Sequence, residues 1–328
     1  MIKTVIACLL SFVVAVIAGR YLIPWLRRLK AGQEIREDGP TWHNAKAGTP
    51  TMGGLMFIAG IFVSILVVGW SGMLRGDFKH LYIFGFALIF GVIGFLDDFE
   101  KVVHHRNLGL TALQKFVLQL AAAVAFLTLM RYEHLVTPNL YIPFFQTHLV
   151  MSWPVYMIFA AFVIVGTVNA VNITDGIDGL NTTVTIPVMV FYTVTAMMWN
   201  RLGASLFSAA LVGGLAGFLV YNFHPARVFM GDTGSLFLGG AVCGLAYALD
   251  MPLILIPVGV IYIAETLSDI IQVIYFKLTH GKRIFRMAPL HHHFEKGGWS
   301  ENKIVAVFSS ITLAGCILAY LGVMNRVM

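Results

Sequence analysis

Five carboxylates stand out because the chain has so few: Asp97 and Asp98 in GFLDDFEK at 94–101, Asp175 and Asp178 in NITDGIDGLN at 172–181, and Asp232 in FMGDTGS at 229–235. A fourth polar run, HHHFE, follows at 291–295. Each sits where an apolar stretch ends. Only 12% of the residues are charged and 58% are hydrophobic, so this placement points to one shared polar surface. Carboxylates can hold a divalent cation, serve as bases or act as nucleophiles. Glycine-flanked turns entering helices let the backbone approach phosphate oxygens closely. The combination suggests metal-assisted chemistry on an anionic substrate at a membrane face.

Each run also has a plainer explanation. Acids that close an apolar segment, like Asp97 and Asp98, can simply be hydrated. Yet a helix C-terminus disfavours negative charge, and Lys101, Arg106 and Lys115 follow closely enough to offset it. Asn172, Asp175, Asp178 and Asn181 recur every third residue, with Gly176 and Gly179 between them. Capping and turn formation account for one or two of these; all four together suggest ligand oxygens turned the same way. Asp232 lies between Gly231 and Gly234, ahead of a long apolar run. Thr233 or Ser235 could cap a helix there. Alternatively, free helix-start N–H groups could meet phosphate while Asp232 holds Mg²⁺. Phe229 could stack on a flat base, and Asn222 ends the preceding span, with His224 and Pro225 just beyond. His291, His292 and His293 are consecutive and lack the HExxH spacing, so a zinc site is disfavoured. Imidazole contacts to phosphate, helped by Arg283 and Arg286, suit them better. His43 and Lys46 precede GTPTMGG at 48–54, which is either a phosphate cradle or a flexible turn.

The elements that hold these runs must be membrane helices. Mean hydropathy is +0.82, and apolar runs near the bilayer-crossing length of about 20 residues recur from end to end. They lack the period-two alternation of a membrane barrel. We expect an all-α, polytopic membrane helix bundle, one domain over 1–328, with about ten transmembrane helices. The spans fall near 4–25, 51–70, 80–96, 116–131, 153–171, 184–199, 203–221, 235–250, 252–275 and 304–324. The first is read as a retained helix, with no cleavage site after it. Fifteen of the 22 Lys and Arg residues fall on the side that carries the polar runs. That side is therefore expected to be cytoplasmic, with both termini extracytoplasmic. The loops near 27–50, 97–115, 172–183, 222–234 and 276–303 would form the active site. The net charge of +6 suits anionic lipid and phosphates rather than nucleic acid. Cys8, Cys243 and Cys316 lie inside spans and read as buried apolar residues. The 132–153 segment suggests a short hairpin. Pro154 suits a first helical turn, and Pro257 should bend the ninth span. Glu265 and Asp269 share one helix face and should look into protein rather than lipid, as an ion pair or as support for the site.

Together the motifs resemble the polyprenyl-phosphate N-acetylhexosamine-1-phosphate transferase superfamily, and more narrowly the phospho-N-acetylmuramoyl-pentapeptide transferase (MraY) family. The similarity runs end to end, through GTPTMGG at 48–54, DDFEK at 97–101, NITDGIDGL at 172–180, FMGDTGS at 229–235 and PLHHHFE at 289–295. It implies transfer of phospho-MurNAc-pentapeptide from UDP-MurNAc-pentapeptide to undecaprenyl phosphate. The products would be lipid I and UMP, with Mg²⁺ required. It implies Asp97 and Asp98 as catalytic candidates, Asp232 as the metal ligand, and His291 in the active site. Asp175, Asp178, Asn222 and Phe229 would line the nucleotide pocket, and Lys101 and Lys115 would meet phosphates. Lys46, Thr49, Asn172, Asn181, His292 and His293 complete the expected substrate-binding set. His104 and His105 depart from the usual Lys-rich stretch and receive no role. The resemblance also implies a homodimer in the bacterial inner membrane, surrounded by membrane lipid. Three rival readings are a sister transferase that uses UDP-GlcNAc, a transporter for an acidic solute, and a diiron or zinc membrane enzyme. A transporter should carry its acids near mid-membrane; here most lie at one face.

Overall fold

The computed structural model describes residues 1–29, 46, 48–104 and 109–326. His43, His105 and Arg106 lie outside the described residues. Apolar chain in lipid must satisfy its backbone internally, and it does so here by forming helices. In order these are α1 (Ile2–Arg28), α2 (Gly54–Met73), α3 (Lys79–His104), α4 (Ala112–Tyr132), α5 (Trp153–Ile173), α6 (Leu180–Met198), α7 (Leu202–Asn222), α8 (Gly231–Ala248), α9 (Leu255–Val258), α10 (Val260–Leu278), α11 (Leu290–Glu295) and α12 (Glu301–Val323). The expected hairpin between α4 and α5 is present. Strand β1 (Asn139–Ile142) pairs antiparallel with β2 (Thr147–Val150), Asn139 opposite Val150. Pro154 stands in the first turn of α5, as expected.

Eight helices among the described residues, α1 to α7 and α12, are long and apolar enough to cross a membrane. A ninth span is counted if the Pro252–Val258 stretch and α10 are taken as one; they meet at an angle of 81°. Pro257 falls just before this break, where the bend was expected. The remaining predicted span, 235–250, is α8. Five glycines and Asp232 lower its hydropathy, yet every residue from Thr233 to Tyr247 is buried. Wrapped by other helices, α8 does not need a lipid-facing apolar surface.

Small residues set how closely the helices pack. The buried stripe of α1 includes Ala7, Ser11, Ala15 and Gly19, each a turn apart. It lies on α7, where a Cβ added at Gly213 would strike the Cys8 carbonyl. Lipid offers no hydrophobic drive for helix pairing, so such close backbone contact supplies the attraction. The crossing of α3 and α8 is comparably close. A Cβ at Gly94 would collide with the Asp232 carbonyl. Phe84, on α3, packs its ring against Phe237, on α8, at 6.0 Å. This crossing puts the C-terminal end of α3 directly against the first turn of α8, and so joins two of the polar runs.

Candidate active site

Asp97 and Asp98 lie near the end of α3, both buried. Their oxygens point to different partners. Asp98 Oδ1 accepts the Asp232 N–H at 3.1 Å, and Oδ2 accepts the Thr233 N–H at 2.9 Å and the Thr233 hydroxyl at 2.7 Å. It therefore caps α8 from another helix. Neither Thr233 nor Ser235 caps this helix, as the sequence had suggested: α8 begins at Gly231 with no side-chain cap of its own. The N–H groups of Asp232 and Thr233 are likewise engaged by Asp98 rather than held open for phosphate. Gly231 makes the approach possible. Its φ is +71°, and a Cβ there would press on Asp98 Oδ2 and Thr51 Oγ1.

Asp97 Oδ1 accepts the Leu110 N–H at 2.7 Å. Its Oδ2 pairs with Lys101 at 2.6 Å and Lys115 at 2.9 Å. Both ammonium groups also reach Asp232 Oδ2, at 3.0 and 2.8 Å. Asn172 donates to Asp232 Oδ1 at 2.9 Å and to Ser235 Oγ at 2.7 Å. Oxygens from Asp97, Asp98 and Asp232 lie within 4.8 Å of one another. Three carboxylates presenting hard oxygen donors suit Mg²⁺, whose coordination usually leaves room for water and substrate phosphates.

A second charged cluster surrounds the turn between α5 and α6. Lys46 pairs with Asp178 Oδ1 and with Glu301 Oε2, both at 2.8 Å. Asp178 Oδ2 faces His224 Nδ1 at 3.0 Å and accepts the Ala226 N–H at 2.9 Å. Burial alone would raise the Asp178 carboxyl, but the bonds from Lys46, Ala226 and His224 hold it below the usual carboxylate range. Asp175 sits between the clusters. Burial, then the charges of Asp232, Asp98 and Asp178, push its carboxyl well above that range.

The regularly spaced residues at 172–181 do not converge on one point. Asn172 turns to Asp232, and Asp178 to Lys46. Asn181 is buried beneath, its amide donating to Met230 Sδ at 3.5 Å. Asn222 is also buried, accepting from Thr182 at 3.0 Å and donating to the Val228 carbonyl at 3.0 Å. These last two hold the loop walls together. Phe229 is half-buried, and its backbone pairs with Pro50 and Gly53 at 2.8 Å, tying the GTPTMGG turn to the start of α8. Thr49 donates its N–H to the Lys46 carbonyl at 3.1 Å. His292 lies 2.6 Å from Glu295, and His293 Nδ1 accepts the Arg286 N–H at 3.1 Å. His291 is buried and faces Glu265, with Nδ1 3.1 Å from Oε2. Sequence reasoning left Glu301 outside the site and weighed Glu265 only as an ion-pair partner or as support for it. Glu265 carried a signal, being an acid within an apolar span; Glu301 reads simply as the first-turn acid of α12.

Residues 80–250 match Glycosyl transferase family 4, and residues 46–58 match the phospho-N-acetylmuramoyl-pentapeptide-transferase signature 1. The signature spans Lys46 and the turn that docks on Phe229. The chain is 47% identical over 315 residues to the phospho-N-acetylmuramoyl-pentapeptide-transferase of Clostridium acetobutylicum, covering 95% of this chain and 96% of the relative. It is 48% identical over 321 residues to that of Caldanaerobacter subterraneus, covering 97% and 98%. It is 49% identical over 335 residues to that of Carboxydothermus hydrogenoformans, covering 98% of each. Similarity this extensive, spanning every helix that contributes to the two charged clusters, means that the chain belongs to the phospho-N-acetylmuramoyl-pentapeptide-transferase family.

Proposed function

We propose that this chain transfers phospho-MurNAc-pentapeptide from its UDP carrier to undecaprenyl phosphate, releasing UMP and forming lipid I for peptidoglycan. The observation that carries the reading is the meeting of Asp97, Asp98 and Asp232 with Lys101 and Lys115 at one helix crossing. Such transfers depend mainly on positioning and on neutralising phosphate charge. Asp232, flanked by Asp97 and Asp98, would hold Mg²⁺, which supplies charge neutralisation on the diphosphate when bound. Lys101 and Lys115 already bridge the acids and are placed to meet phosphate oxygens. The second cluster, with Lys46, Asp178 and Phe229, would take the uridine end, and Asn222 and Asn181 would hold its walls.

The acceptor is a phosphomonoester with a second pKa of about 6, so it is mostly dianionic at neutral pH and needs little help from a base. Its oxygen attacks the phosphorus next to the sugar, and the bond to the UMP oxygen breaks with its electron pair. We favour this direct path because both Asp98 oxygens are engaged by α8 and both Asp97 oxygens by Leu110 and the lysines. Within it, Asp98 orients the acceptor by fixing the start of α8. A phosphorylated enzyme trapped with donor alone would replace this path with a two-step one through aspartate.

In this reading all ten expected helices cross the bacterial inner membrane, α8 and the bent pair included. Both termini lie outside, the clusters face the cytoplasm, and the protein is a homodimer. The acceptor tail would run beside the 81° bend between the Pro252–Val258 stretch and α10. The decisive measurement is UMP release by purified protein supplied with UDP-MurNAc-pentapeptide and undecaprenyl phosphate, with and without Mg²⁺. Release from UDP-GlcNAc instead would favour the sister transferase. Solute uptake into proteoliposomes without Mg²⁺-dependent UMP release would favour a transporter.

A further inference from the structure

Glu265 is a fully buried acid on α10 that the transfer reading above does not use. Its carboxylate clamps His291 in two ways. The His291 backbone N–H points at Oε1 and Oε2, at 3.2 and 3.4 Å. The ring Nδ1 lies 3.1 Å from Oε2. His291 is only 1% exposed. Its other ring nitrogen, Nε2, is buried and has no hydrogen-bond partner among the described residues. That nitrogen abuts Gly176, in the turn that separates Asp175 from Asp178; a Cβ there would collide with the ring. A buried, unpartnered polar atom costs stability unless something comes to meet it.

A carboxylate facing Nδ1 settles which nitrogen keeps a proton. Nδ1 donates to Glu265 in the neutral ring and in the charged one. In the charged ring Nε2 also becomes a donor. A glutamine in its place could still accept from Nδ1–H, but with one oxygen it could not also hold the His291 backbone N–H in the same way.

We propose that Glu265 is a positioning residue for the transfer reaction. It holds the His291 ring by Nδ1 and by the backbone N–H, so that Nε2 of the doubly protonated ring donates to an anionic oxygen of the sugar-nucleotide diphosphate as charge develops there. This inference rests on the transferase reading. The plainer possibility is that Glu265 merely braces the short helix α11.

The test uses the full-length enzyme in detergent. Wild type must first release UMP from UDP-MurNAc-pentapeptide; if it does not, the transferase reading itself fails. Given an active wild type, E265Q should lower kcat about 10- to 100-fold, the usual range for such supporting partners, with donor KM changed less than about threefold. The double variant E265Q/H291N should be no slower than H291N alone, because Glu265 acts only through that ring. Wild-type activity in E265Q, or losses that multiply in the double variant, would overturn the proposal. Histidine-selective ¹⁵N spectra of the wild type, assigned through H291N, test the same point without any Glu265 variant. Nδ1 should be protonated; a neutral ring with its proton on Nε2 would also overturn it.

Discussion

The two charged clusters sit on either side of the α5–α6 turn, and they are balanced in opposite ways. At the α3–α8 crossing, three carboxylates meet two lysines, and both lysines are shared between Asp97 and Asp232. Around Asp178, two carboxylates meet Lys46 and His224, and each Asp178 oxygen has its own partner. The first arrangement has an acid in excess, so it suits a cation, and the proposed mechanism has the lysines meet phosphate there. The second is nearly self-satisfied. It is better suited to orienting a ligand than to absorbing a change of charge. In the proposed reading, chemistry falls to the first region and recognition to the second.

The sharpest way to break this contrast is Asp232→Asn. Loss of one carboxylate from the unbalanced cluster should cut UMP release about 10²- to 10³-fold, with Mg²⁺ dependence weakened. Near-normal turnover would erase the distinction between the clusters. Lys115→Met comes next. It leaves Lys101 to bridge both acids alone, and kcat should fall about 10- to 100-fold. On the other side, Lys46→Ala should act mainly on binding. Donor KM should rise about tenfold while kcat changes by less than a factor of about three. A kcat loss as large as that of Lys115→Met would mean that both clusters do the same work.

The smallest effects concern stability and should have opposite signs. The folded-state pKa of Asp178 is lowered, so its contribution is present above the ordinary value near pH 4 and disappears as pH falls through the folded value. Asp178→Asn should therefore lower the thermal midpoint at neutral pH, with a deficit that shrinks in acid. Asp175 is raised, so ionising it costs stability as pH climbs. Asp175→Asn should be the more stable protein above about pH 4, by a few degrees for a domain this size, even if it turns over more slowly. Melting curves of both variants between about pH 2 and 8 check the signs.

Much of this was legible in the chain before folding. Hydropathy located the helices because lipid imposes a length and a composition on anything that crosses it. Pro257 announced the bend, and Pro154 the start of α5. The scarcity of acids made Asp97, Asp98, Asp175, Asp178 and Asp232 conspicuous, and the resemblance they carry agrees with the relatives across nearly the full length. The span expected over 235–250 is present as α8 although glycines and Asp232 dilute its hydropathy, because a core helix packed by glycines has no need of a lipid-facing surface.

What the linear order determined is which residues are available and which segments are membrane-bound; both follow from local composition. What only the tertiary structure decided is who faces whom. Asp98 caps a helix 134 residues away, Lys46 reaches Glu301 across 255, and Glu265 meets His291 rather than Asp269. Pairings of this kind depend on how closely α3 crosses α8 and where α10 bends. Those distances are set by side-chain volume at contacts such as Gly94, between segments that share no local signal.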